Sequence, residues 1–380
     1  MNIGFIDYTS AGIRDPRGTK IAASLAEQGH RVTWMYGEDD ACSPIPGVRF
    51  KKIQTPALPF RMKEISFALA AAAWSKKQGF DVVIGFSHVG GLSAYWACQG
   101  TATPFLFDYP DPLYPSDPSY ASFYSWQDRW LARAFEVIEK RALNAAAAVA
   151  VISPFFAEDI HRRYGVPKER IFVAPNAPDA SRFVPSRKKY SEFTLAYTGK
   201  AIPEYGLDWL LKSFAATRHG RLLLVVKTES TWRQWLEAEI QKRGLVKRVD
   251  VYENVAPDEV AARVRRAHAA VFPYPRSAIN DHAAPNKFFE YMALGLPIVS
   301  RDLPEARRLI QEGGFGQVVR TPTEFKKAVE YLVRHPSEAR LMGGRARRAA
   351  LDRFDWRTVA GNYQERIRAA VTVMESKPPG

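Results

Sequence analysis

The sequence predicts an α/β protein made of two doubly wound parallel sheets, one in each of two domains. Short apolar strand candidates alternate with helical segments along most of the chain. The alternation pauses near the middle, at a stretch rich in proline, serine and charge, and then restarts. A length of 380 residues exceeds one ordinary core and suits two. Alternation at this spacing predicts parallel sheets covered on both faces, and two such domains facing each other across a ligand-binding cleft.

The first half opens with a β-loop-α-β pattern that then recurs. Ile21 and Leu25 have helical spacing, and Gly29 is a typical helix stop. The segment Ser87–Gly91, SHVGG, is expected to be a loop between a strand and a helix. The predicted elements are, in chain order, the strand NIGFID, the helix TKIAASLAEQG, the strands HRVTWMY and FDVVIGF, the helix LSAYWACQG, the strands TPFLFDY and AAAAVAVIS, and the helix PFFAEDIHRRYG.

The second half repeats the alternation and ends in helices. Its predicted elements are the strand FTLAYTG, the helix LDWLLKSFAA, the strand RLLLVVK, a helix at Trp232–Arg243, the strand VDVYE, the helix PDEVAARVRRA, the strand AAVFPY, a helix that begins near Pro285, the strand LPIVS, and closing helices at Glu324–Arg334, Glu338–Arg353 and Thr358–Met374.

The stretch Val173–Glu192 lies between the two alternating regions. It is rich in proline, serine and charge, so we interpret it as an interdomain linker. We therefore predict an N-terminal domain at 1–176, a linker at 177–192, a C-terminal domain at 193–356 and a final helix at 357–380.

The composition, with 46% hydrophobic and 25% charged residues, is that of an ordinary globular protein. The sequence does not open with a basic segment followed by an apolar one, and no apolar run reaches the roughly 18 residues of a spanning helix. We therefore expect a cytoplasmic protein. The two cysteines, Cys42 and Cys98, lie far apart and indicate neither a disulfide framework nor a metal knuckle.

The net charge of +14 is unevenly distributed. Residues 1–185 hold 20 basic and 18 acidic side chains, whereas residues 186–380 hold 34 and 22. A solvated basic surface, an anionic ligand and an anionic membrane surface all fit this excess in the second half. The sequence contains no zinc finger, RNA-recognition signature or basic leucine zipper, so we expect no nucleic-acid partner.

Open parallel sheets bind ligands beyond the carboxyl ends of their strands, and this rule selects six loops. They are Ser10–Gly18, Ser87–Gly91, Asp108–Asp117, Gly199–Gly206, the stretch after Lys227, and Pro273–Lys287. In the fourth loop, Gly199 lets backbone amides approach an anion, the next helix adds positive potential, and Lys200 supplies a charge. The alternative interpretation of this loop is a plain strand-to-helix turn with an exposed lysine, and the sequence is compatible with both.

The stretch APNKFFEYMALGLPIVS, Ala284–Ser300, is predicted as a buried helix followed by a buried strand. Its helix begins near the carboxyl end of the preceding strand, so the helix N-terminus points toward a ligand. Lys287 and Glu290 share one face by their spacing. They form either an ion pair within the helix or, as we propose, a site in which Glu290 accepts hydrogen bonds from two ribose hydroxyls and Lys287 faces phosphate.

An ordered set of segments resembles the retaining GT-B glycosyltransferases of family four, also called group one. The segments are LAEQGHRVTW, VISPFFAEDIHRRYGVPKERIFVAPNAPDASRF, LAYTGKAIPEYGLDWLL, PNKFFEYMALGLPIVS and RFDWRTVAGNY. The resemblance implies two Rossmann-like domains, with the acceptor on the N-terminal one and a nucleotide-sugar donor held mainly by the C-terminal one. It also implies transfer with retention at the anomeric carbon and a last helix that crosses back to the N-terminal domain.

The resemblance assigns donor-binding roles in the second half. Glu290 matches the family's ribose-binding glutamate, and Lys200 stands where the family has a diphosphate-binding arginine. Two positions depart from the family: Tyr205 replaces its second diphosphate cation, and His282 replaces the glutamate that helps to hold the donor sugar. We therefore expect His282 to influence sugar selection.

Other residues of these loops complete the predicted donor set. Lys287 and Lys227 are the cations that we expect to substitute at Tyr205. Gly199 and Asn286 lie beside them in the sequence and are included as donor-binding candidates.

In the N-terminal half, FLFDYPDPLYP resembles a segment of family members that carries a conserved-looking acid. Asp111 matches that acid and Asp108 precedes it, so either is expected to position the acceptor hydroxyl; both also fit turn-forming aspartates beside prolines. His88 is expected to bind acceptor or donor, and a histidine satisfied by loop backbone fits equally well.

The first loop, SAGIRDPRG, occupies the place where the family's glycine-rich loop approaches the donor phosphates. It lacks the usual double glycine. We therefore expect Gly12 to allow the approach and Arg14 or Arg17 to make the contact.

The sequence has no Asp-x-Asp triplet and no histidine cluster, so we expect neither a metal nor another cofactor. Cations and helix dipoles would then stabilise the leaving group. The segment Pro56–Gly79 mixes aromatic, apolar and basic residues, and a similar region faces lipid-linked acceptors in related enzymes. It is either a loop with a core helix or a peripheral contact with the inner face of the cell membrane.

Three functions stay open at this point. The favoured one is metal-independent transfer of a sugar to a glycan or lipid-linked acceptor in polysaccharide or glycolipid biosynthesis. A nucleotide-sugar epimerase is a second possibility, although such enzymes typically need several clustered carboxylates. A catalytically silent GT-B scaffold subunit is the third, and His282 and Tyr205 favour it.

Overall fold

The computed structural model describes residues 1–9, 16–37, 44–56, 60–111, 126–180, 182–282 and 285–375. The chain divides into two units, Met1–Pro175 together with Arg357–Gly380, and Asn176–Trp356. Each unit contains one parallel sheet flanked by helices, so the predicted fold class is confirmed. No described helix combines the length and the apolar character that crossing a bilayer requires.

The first unit is built on a seven-stranded parallel sheet with the order β3-β2-β1-β4-β5-β6-β7. Its strands are β1 (Asn2–Ile6), β2 (Arg31–Tyr36), β3 (Val48–Lys52), β4 (Val82–Phe86), β5 (Phe105–Asp108), β6 (Ala148–Val151) and β7 (Ile171–Val173). Its helices are α1 (Pro16–Glu27), α2 (Phe60–Ser75), α3 (Ser87–Cys98), α4 (Trp126–Ala145) and α5 (Pro154–Tyr164). The central strands are buried and, apart from Asp108 at the end of β5, apolar, as expected for a sheet covered on both faces.

The second unit has a six-stranded parallel sheet with the order β10-β9-β8-β11-β12-β13. Its strands are β8 (Thr194–Lys200), β9 (Arg221–Lys227), β10 (Val249–Glu253), β11 (Ala269–Phe272), β12 (Ile298–Arg301) and β13 (Gly316–Val319). Its helices are α6 (Leu207–Ala215), α7 (Ser230–Lys242), α8 (Pro257–Val264), α9 (Ala278–His282), α10 (Asn286–Ala293), α11 (Pro304–Gly313), α12 (Pro322–Arg334) and α13 (Pro336–Arg353).

The segment SHVGG is helical, so its prediction as a loop was wrong. Helix α3 begins at Ser87, directly after β4, and Ser87 has a positive φ of 60°. A Cβ atom on Gly90 would lie 2.1 Å from the Ile6 carbonyl oxygen, and one on Gly91 would lie 2.0 Å from the Phe107 ring. The two glycines therefore serve close packing of the helix on the sheet and do not break the helix.

The last helix, α14 (Trp356–Glu375), packs with the first unit from Arg357 onward. Tyr363 and Ile367 are buried, and Tyr363 lies edge-on to the Phe172 ring. The residues between β7 and β8 that the structure describes form neither helix nor strand.

Candidate functional site

A cavity of about 360 Å³ lies at the carboxyl ends of β8 and β9 in the second unit. The N-terminal part of α10 forms another of its sides, so this helix end also faces the cavity. Six of the residues predicted to bind the donor line it: Gly199, Lys200, Lys227, Asn286, Lys287 and Glu290. The loops that follow neighbouring parallel strands therefore converge here, as the sheet rule predicts.

Gly199 makes room for the lysine of the opposite wall. A Cβ atom at this position would lie 2.6 Å from the Lys287 Nζ atom and 2.7 Å from the Tyr197 hydroxyl. The φ angle of 153° is also one that other residues rarely adopt. Only glycine therefore allows β8 to end against the lysine without moving it.

Three tyrosine rings surround the ammonium group of Lys287. Its Nζ atom lies 4.8 Å from the ring centroid of Tyr274, 5.4 Å from that of Tyr205 and 5.8 Å from that of Tyr197. It also donates a hydrogen bond to the Tyr274 hydroxyl. Aromatic faces attract a cation at these distances, so the cage holds the charge of Lys287 at one place in the cavity wall.

The surroundings of Lys287 change its acidity. Burial lowers its pKa from 10.5 to about 8, and the charge of Lys200 acts in the same direction, whereas Glu290 opposes both. The amine is therefore still largely protonated at neutral pH, but it releases its proton far more easily than an ordinary lysine. An anion bound in the cavity would restore the usual preference for the charged form.

The remaining wall of the cavity is apolar and carries Glu290 at its edge. Val255 and Val260 line this wall beside the end of β9. Glu290 is half-buried on α10. The next residue, Tyr291, is buried, and its hydroxyl accepts a hydrogen bond of 2.7 Å from the Thr198 backbone amide. This bond ties α10 to β8 and fixes where the Glu290 carboxylate lies.

Two positions that depart from the expected pattern lie in different places. Tyr205 lines the cavity, in contact with Lys287. His282 is half-buried on the short helix α9 and does not line the cavity. No sequence pattern indicated the contribution of Tyr197 and Tyr274, because their rings approach Lys287 only through the packing of three separate segments.

Asp108 lies in a different setting from the one expected of it. It is the last residue of β5 rather than part of a loop, and it is 0% exposed. Its carboxylate accepts hydrogen bonds from Arg17 at 3.1 and 3.0 Å and from the Tyr363 hydroxyl at 2.8 Å. Arg17 is itself buried and donates to the Ala174 carbonyl oxygen. We therefore assign Asp108 and Arg17 to the core of the unit.

His88 is bound by a carboxylate rather than by loop backbone alone. Its Nδ1 atom hydrogen-bonds to Glu139 of α4, which is buried and also accepts from the Tyr109 hydroxyl at 2.9 Å. Burial alone would lower the pKa of His88, but the Glu139 carboxylate outweighs this effect and raises it. The carboxylate thus favours the charged form of the ring and fixes its position at the start of α3.

Asp111 is an exposed residue, unlike the other predicted acceptor-side aspartate, Asp108. Although the residue is exposed, neighbouring protein atoms reduce the hydration of its carboxylate and raise its pKa, against the attraction of His88 and Arg17. The other two candidates of this half, Gly12 and Arg14, lie outside the described residues. Within the described ranges, no three histidine, cysteine or acidic side chains come close enough together to hold a metal ion.

Comparisons with known proteins agree with this arrangement. Residues 17–177 match the family described as glycosyl transferase 4-like domain, and residues 192–335 match the glycosyl transferases group 1. Together the two matches cover most of the chain. The chain belongs to the group 1 glycosyltransferases.

Individual relatives of this glycosyltransferase are distant. It is 27% identical to MMP alpha-(1->4)-mannosyltransferase of Mycolicibacterium hassiacum, over 95% of this chain and 96% of the relative. Its fold is similar to that of sucrose-phosphate synthase from Thermosynechococcus elongatus, with a TM-score of 0.78, 19% identity, and coverage of 98% of this chain and 99% of that one. It is also similar to Anabaena HepE solved with UDP-glucose, with a TM-score of 0.75, 15% identity, and coverage of 97% and 100%. These structures support the GT-B fold of the glycosyltransferase.

Proposed function

We propose that this glycosyltransferase transfers a sugar from a nucleotide-sugar donor to a glycan or lipid-linked acceptor, with retention of the anomeric configuration. The observation that carries the proposal is the cavity of the second unit. It combines an apolar wall, a glycine turn, three lysines and one carboxylate within about 360 Å³. A base fits the apolar wall, a ribose fits the carboxylate, and a diphosphate fits the glycine turn and the lysines. HepE, a structural neighbour, was solved with UDP-glucose, which supports a donor of this class.

Each part of the donor has a matching part of the cavity. The apolar wall at Val255 and Val260 suits a base. Glu290 accepts hydrogen bonds from two ribose hydroxyls, and such bonds to a charged acceptor are the stronger kind. Lys200 and Lys287 neutralise the diphosphate, while the backbone at Gly199 and the N-terminus of α10 donate to it. Lys227 and Asn286 also line the same cavity.

The replacement at Tyr205 is compatible with catalysis because Lys287 lies against it. The ammonium group lies over the Tyr205 ring at 5.4 Å, so a positive charge is supplied at the position where the family's cation is missing. This arrangement favours an active enzyme over a silent scaffold. Fixed cations and a helix N-terminus aimed at the leaving diphosphate would stabilise its developing charge, so we propose a reaction that needs no metal.

On the acceptor side, we propose that Asp111 positions the acceptor hydroxyl and that His88 binds acceptor or donor sugar. Asp108 is too enclosed to meet either substrate. The Asp111 carboxylate and the His88 ring influence each other electrostatically, which supports their working together.

A donor-hydrolysis assay tests the proposal. Nucleoside diphosphate release is measured for a panel of UDP-, GDP- and ADP-sugars, with and without crude lipid acceptors. Glu290→Gln should lower the affinity for the preferred nucleotide by about 10- to 100-fold, equivalent to roughly 1.5–3 kcal/mol, because a charged acceptor is lost. The matched control is Glu237→Gln, since Glu237 is exposed on α7 outside the cavity.

Several outcomes separate the alternatives. Release that depends on Glu290 excludes the scaffold, and release of a sugar that is epimerised rather than transferred identifies an epimerase. The anomeric configuration of the first product, read by NMR, decides retention. Absence of binding and release across the whole panel would contradict the proposal.

A peripheral membrane contact is a further part of the proposal. The middle of α2 packs into the core through Phe67 and Ala71, but Met62 and Leu69 are each 53% exposed. Two apolar side chains on a helix with nearby basic residues suit a weak interfacial contact. Flotation with vesicles that contain anionic lipid should carry the wild type and leave Met62→Ser/Leu69→Ser behind; equal flotation of both, or of neither, would contradict the contact.

A further inference from the structure

A second cavity, of about 180 Å³, lies beside the first and is lined mainly by arginines. Its lining residues are Tyr274, Arg276, Arg301, Asp302 and Arg320. Tyr274, Arg301 and Arg320 lie at or just after the ends of β11, β12 and β13, so the cavity is at the carboxyl edge of the sheet, where ligands bind. Tyr274 also accepts a hydrogen bond from Lys287, so a wall residue of this cavity is bonded directly to a wall residue of the first one.

Three different supports hold the guanidinium groups in place. Arg276 is paired with Asp281, its Nη2 atom lying 2.8 Å from a carboxylate oxygen. Arg320 donates to Asp302 at 2.8 Å, and Asp302 also binds Arg307 at 2.9 Å. Arg301 lies over the Trp209 ring, 4.9 Å from its centroid. The planar groups are therefore oriented before any ligand arrives, which reduces the entropy lost on binding.

The charges of this group do not balance. The group contains two aspartates, Asp281 and Asp302, and four arginines, namely the three that line the cavity and the neighbouring Arg307. Arg301 forms no ion pair with any carboxylate among the described residues, and partial burial lowers its pKa. Clustered cations repel each other, and the repulsion is weaker when an anion lies between them. Because the cavity reaches solvent, an anionic ligand can enter it and contact the arginines that carry the surplus positive charge.

We propose that these arginines bind an oxyanion, a carboxylate or a phosphate, that is carried by a sugar substrate of this enzyme. The inference rests on the proposed function and narrows it to acidic sugars. Arginine presents paired N–H groups that match two oxygens of a carboxylate or phosphate. The hydrogen bond between Lys287 and Tyr274 places this group beside the proposed diphosphate site, so the charged group of a sugar bound there would face the arginines.

Binding of inorganic phosphate tests the pocket directly. The variants are Arg301→Gln, Arg320→Gln and their double, and the matched control is Arg340→Gln, an exposed arginine of α13. Phosphate affinity is measured by ³¹P NMR line width and by thermal shift at constant ionic strength. We expect the double variant to bind phosphate at least about tenfold more weakly than wild type and the control to match wild type. Equal binding in wild type and the double variant would overturn the inference.

Sugar probes then identify which substrate carries the group. A donor source predicts that wild type binds UDP-glucuronate about tenfold more tightly than UDP-glucose and that this preference disappears in the double variant. An acceptor source predicts no such preference but tighter binding of glucose 6-phosphate than of glucose, lost in the same variant. A third outcome is that phosphate binding depends on the arginines, whereas neither the preference for UDP-glucuronate nor that for glucose 6-phosphate does. The pocket then binds free phosphate only, and the inference is overturned.

UDP alone serves as the separate control for the proposed function. If the double variant binds both UDP and phosphate as tightly as wild type does, the inference about the arginines is overturned. The proposed donor site is then unaffected. Failure of UDP and of the other nucleotides to bind wild type counts against the proposed function, while the phosphate comparison still decides whether the pocket binds an anion.

Discussion

Charged residues lie at the carboxyl edges of both sheets, but two groups of them differ in burial and in how completely their charges are paired. In the first unit, Arg17, Asp108 and the Tyr363 hydroxyl satisfy one another and are buried. In the second unit, Lys200, Lys287 and Glu290 line an open cavity with cations in excess. The same position in the same kind of sheet thus supports a closed core in one case and a ligand site in the other.

The difference teaches how to interpret a charge at such an edge. A buried charge must be paired, because desolvation otherwise costs several kcal/mol. Around Asp108 the described partners complete the pairing, and no ligand is needed there. At the second edge it is incomplete, and an anionic ligand would complete it. Four predictions test this contrast, beginning with the largest expected effect.

Removal of Asp108 should damage the closed edge most. Asp108→Ala leaves the buried guanidinium of Arg17 without its carboxylate, and we expect a loss of about 3–5 kcal/mol of stability. The measurement is urea unfolding followed by fluorescence, with nucleotide affinity as the second readout. Glu158→Gln is the control, since its pair with Lys168 is exposed, and its unfolding midpoint should equal that of wild type. If Asp108→Ala unfolds at the same urea concentration as wild type, the buried charges of the first unit do not stabilise the fold, and the contrast with the open cavity of the second unit is lost.

Removal of the caged lysine should damage binding rather than folding. Lys287→Met keeps the length and apolar contacts of the side chain and deletes the charge. We expect nucleoside diphosphate affinity to fall by about 10- to 100-fold, because a partly buried charge-assisted contact is lost, with little loss of stability. Calorimetric titration measures the nucleoside diphosphate affinity, and urea unfolding measures the stability. Equal affinity in Lys287→Met and wild type would show that this lysine does not contact the diphosphate.

The same lysine predicts a pH dependence. Its pKa in the free protein is lowered to about 8, and a bound diphosphate would raise it. Affinity should therefore be constant below about pH 7.5, fall by up to about tenfold per pH unit above 8, and level off above the pKa of the complex. Because burial disfavours the charged form, the cost of this group to folding is present below pH 8 and is relieved as the pH rises toward 10.5. Lys287→Met should show a flatter affinity profile over the same range; an equally steep one would contradict the assignment.

The exposed lysine of the same cavity should contribute least. Lys200 is exposed, whereas Lys287 is half-buried. We expect Lys200→Ala to lower nucleotide affinity only a few-fold, and the loss should shrink with added salt, since exposed charges are screened. Titrations at about 0.05 M and 0.5 M salt compare the two variants. A larger loss for Lys200→Ala than for Lys287→Met at both salt concentrations would reverse our ranking of the two lysines.

The sequence predicted much of the architecture for a simple physical reason. Strands buried on both faces are nearly continuous apolar runs, so RLLLVVK and AAVFPY are recognisable without any partner. The parallel order then brings the ends of β8 and β9 together, which is why six predicted donor residues share one cavity. Less apolar elements, such as β3, α11 and β13, were not predicted.

The misses share another cause. Gly90 and Gly91 are compatible with either a turn or close packing, and only the position of the Phe107 ring decides between them. The segment around Asp108 resembles an acceptor-binding loop, and nothing near it in the sequence indicates its partner Tyr363, which is 255 residues away in the chain. The tyrosine cage around Lys287 likewise joins three segments. Charge neutralisation is a property of such distant pairs, and local sequence patterns do not reveal it.

The contact between Asp108 and Tyr363 has a consequence for biosynthesis. The strands of the first sheet leave the ribosome early, but the hydroxyl that completes the shell around Asp108 belongs to one of the last helices made. The second unit ends at Trp356 and has all of its residues before that helix emerges. The order of translation therefore differs from the order of maturation: the first unit is synthesised first and is the last to be finished.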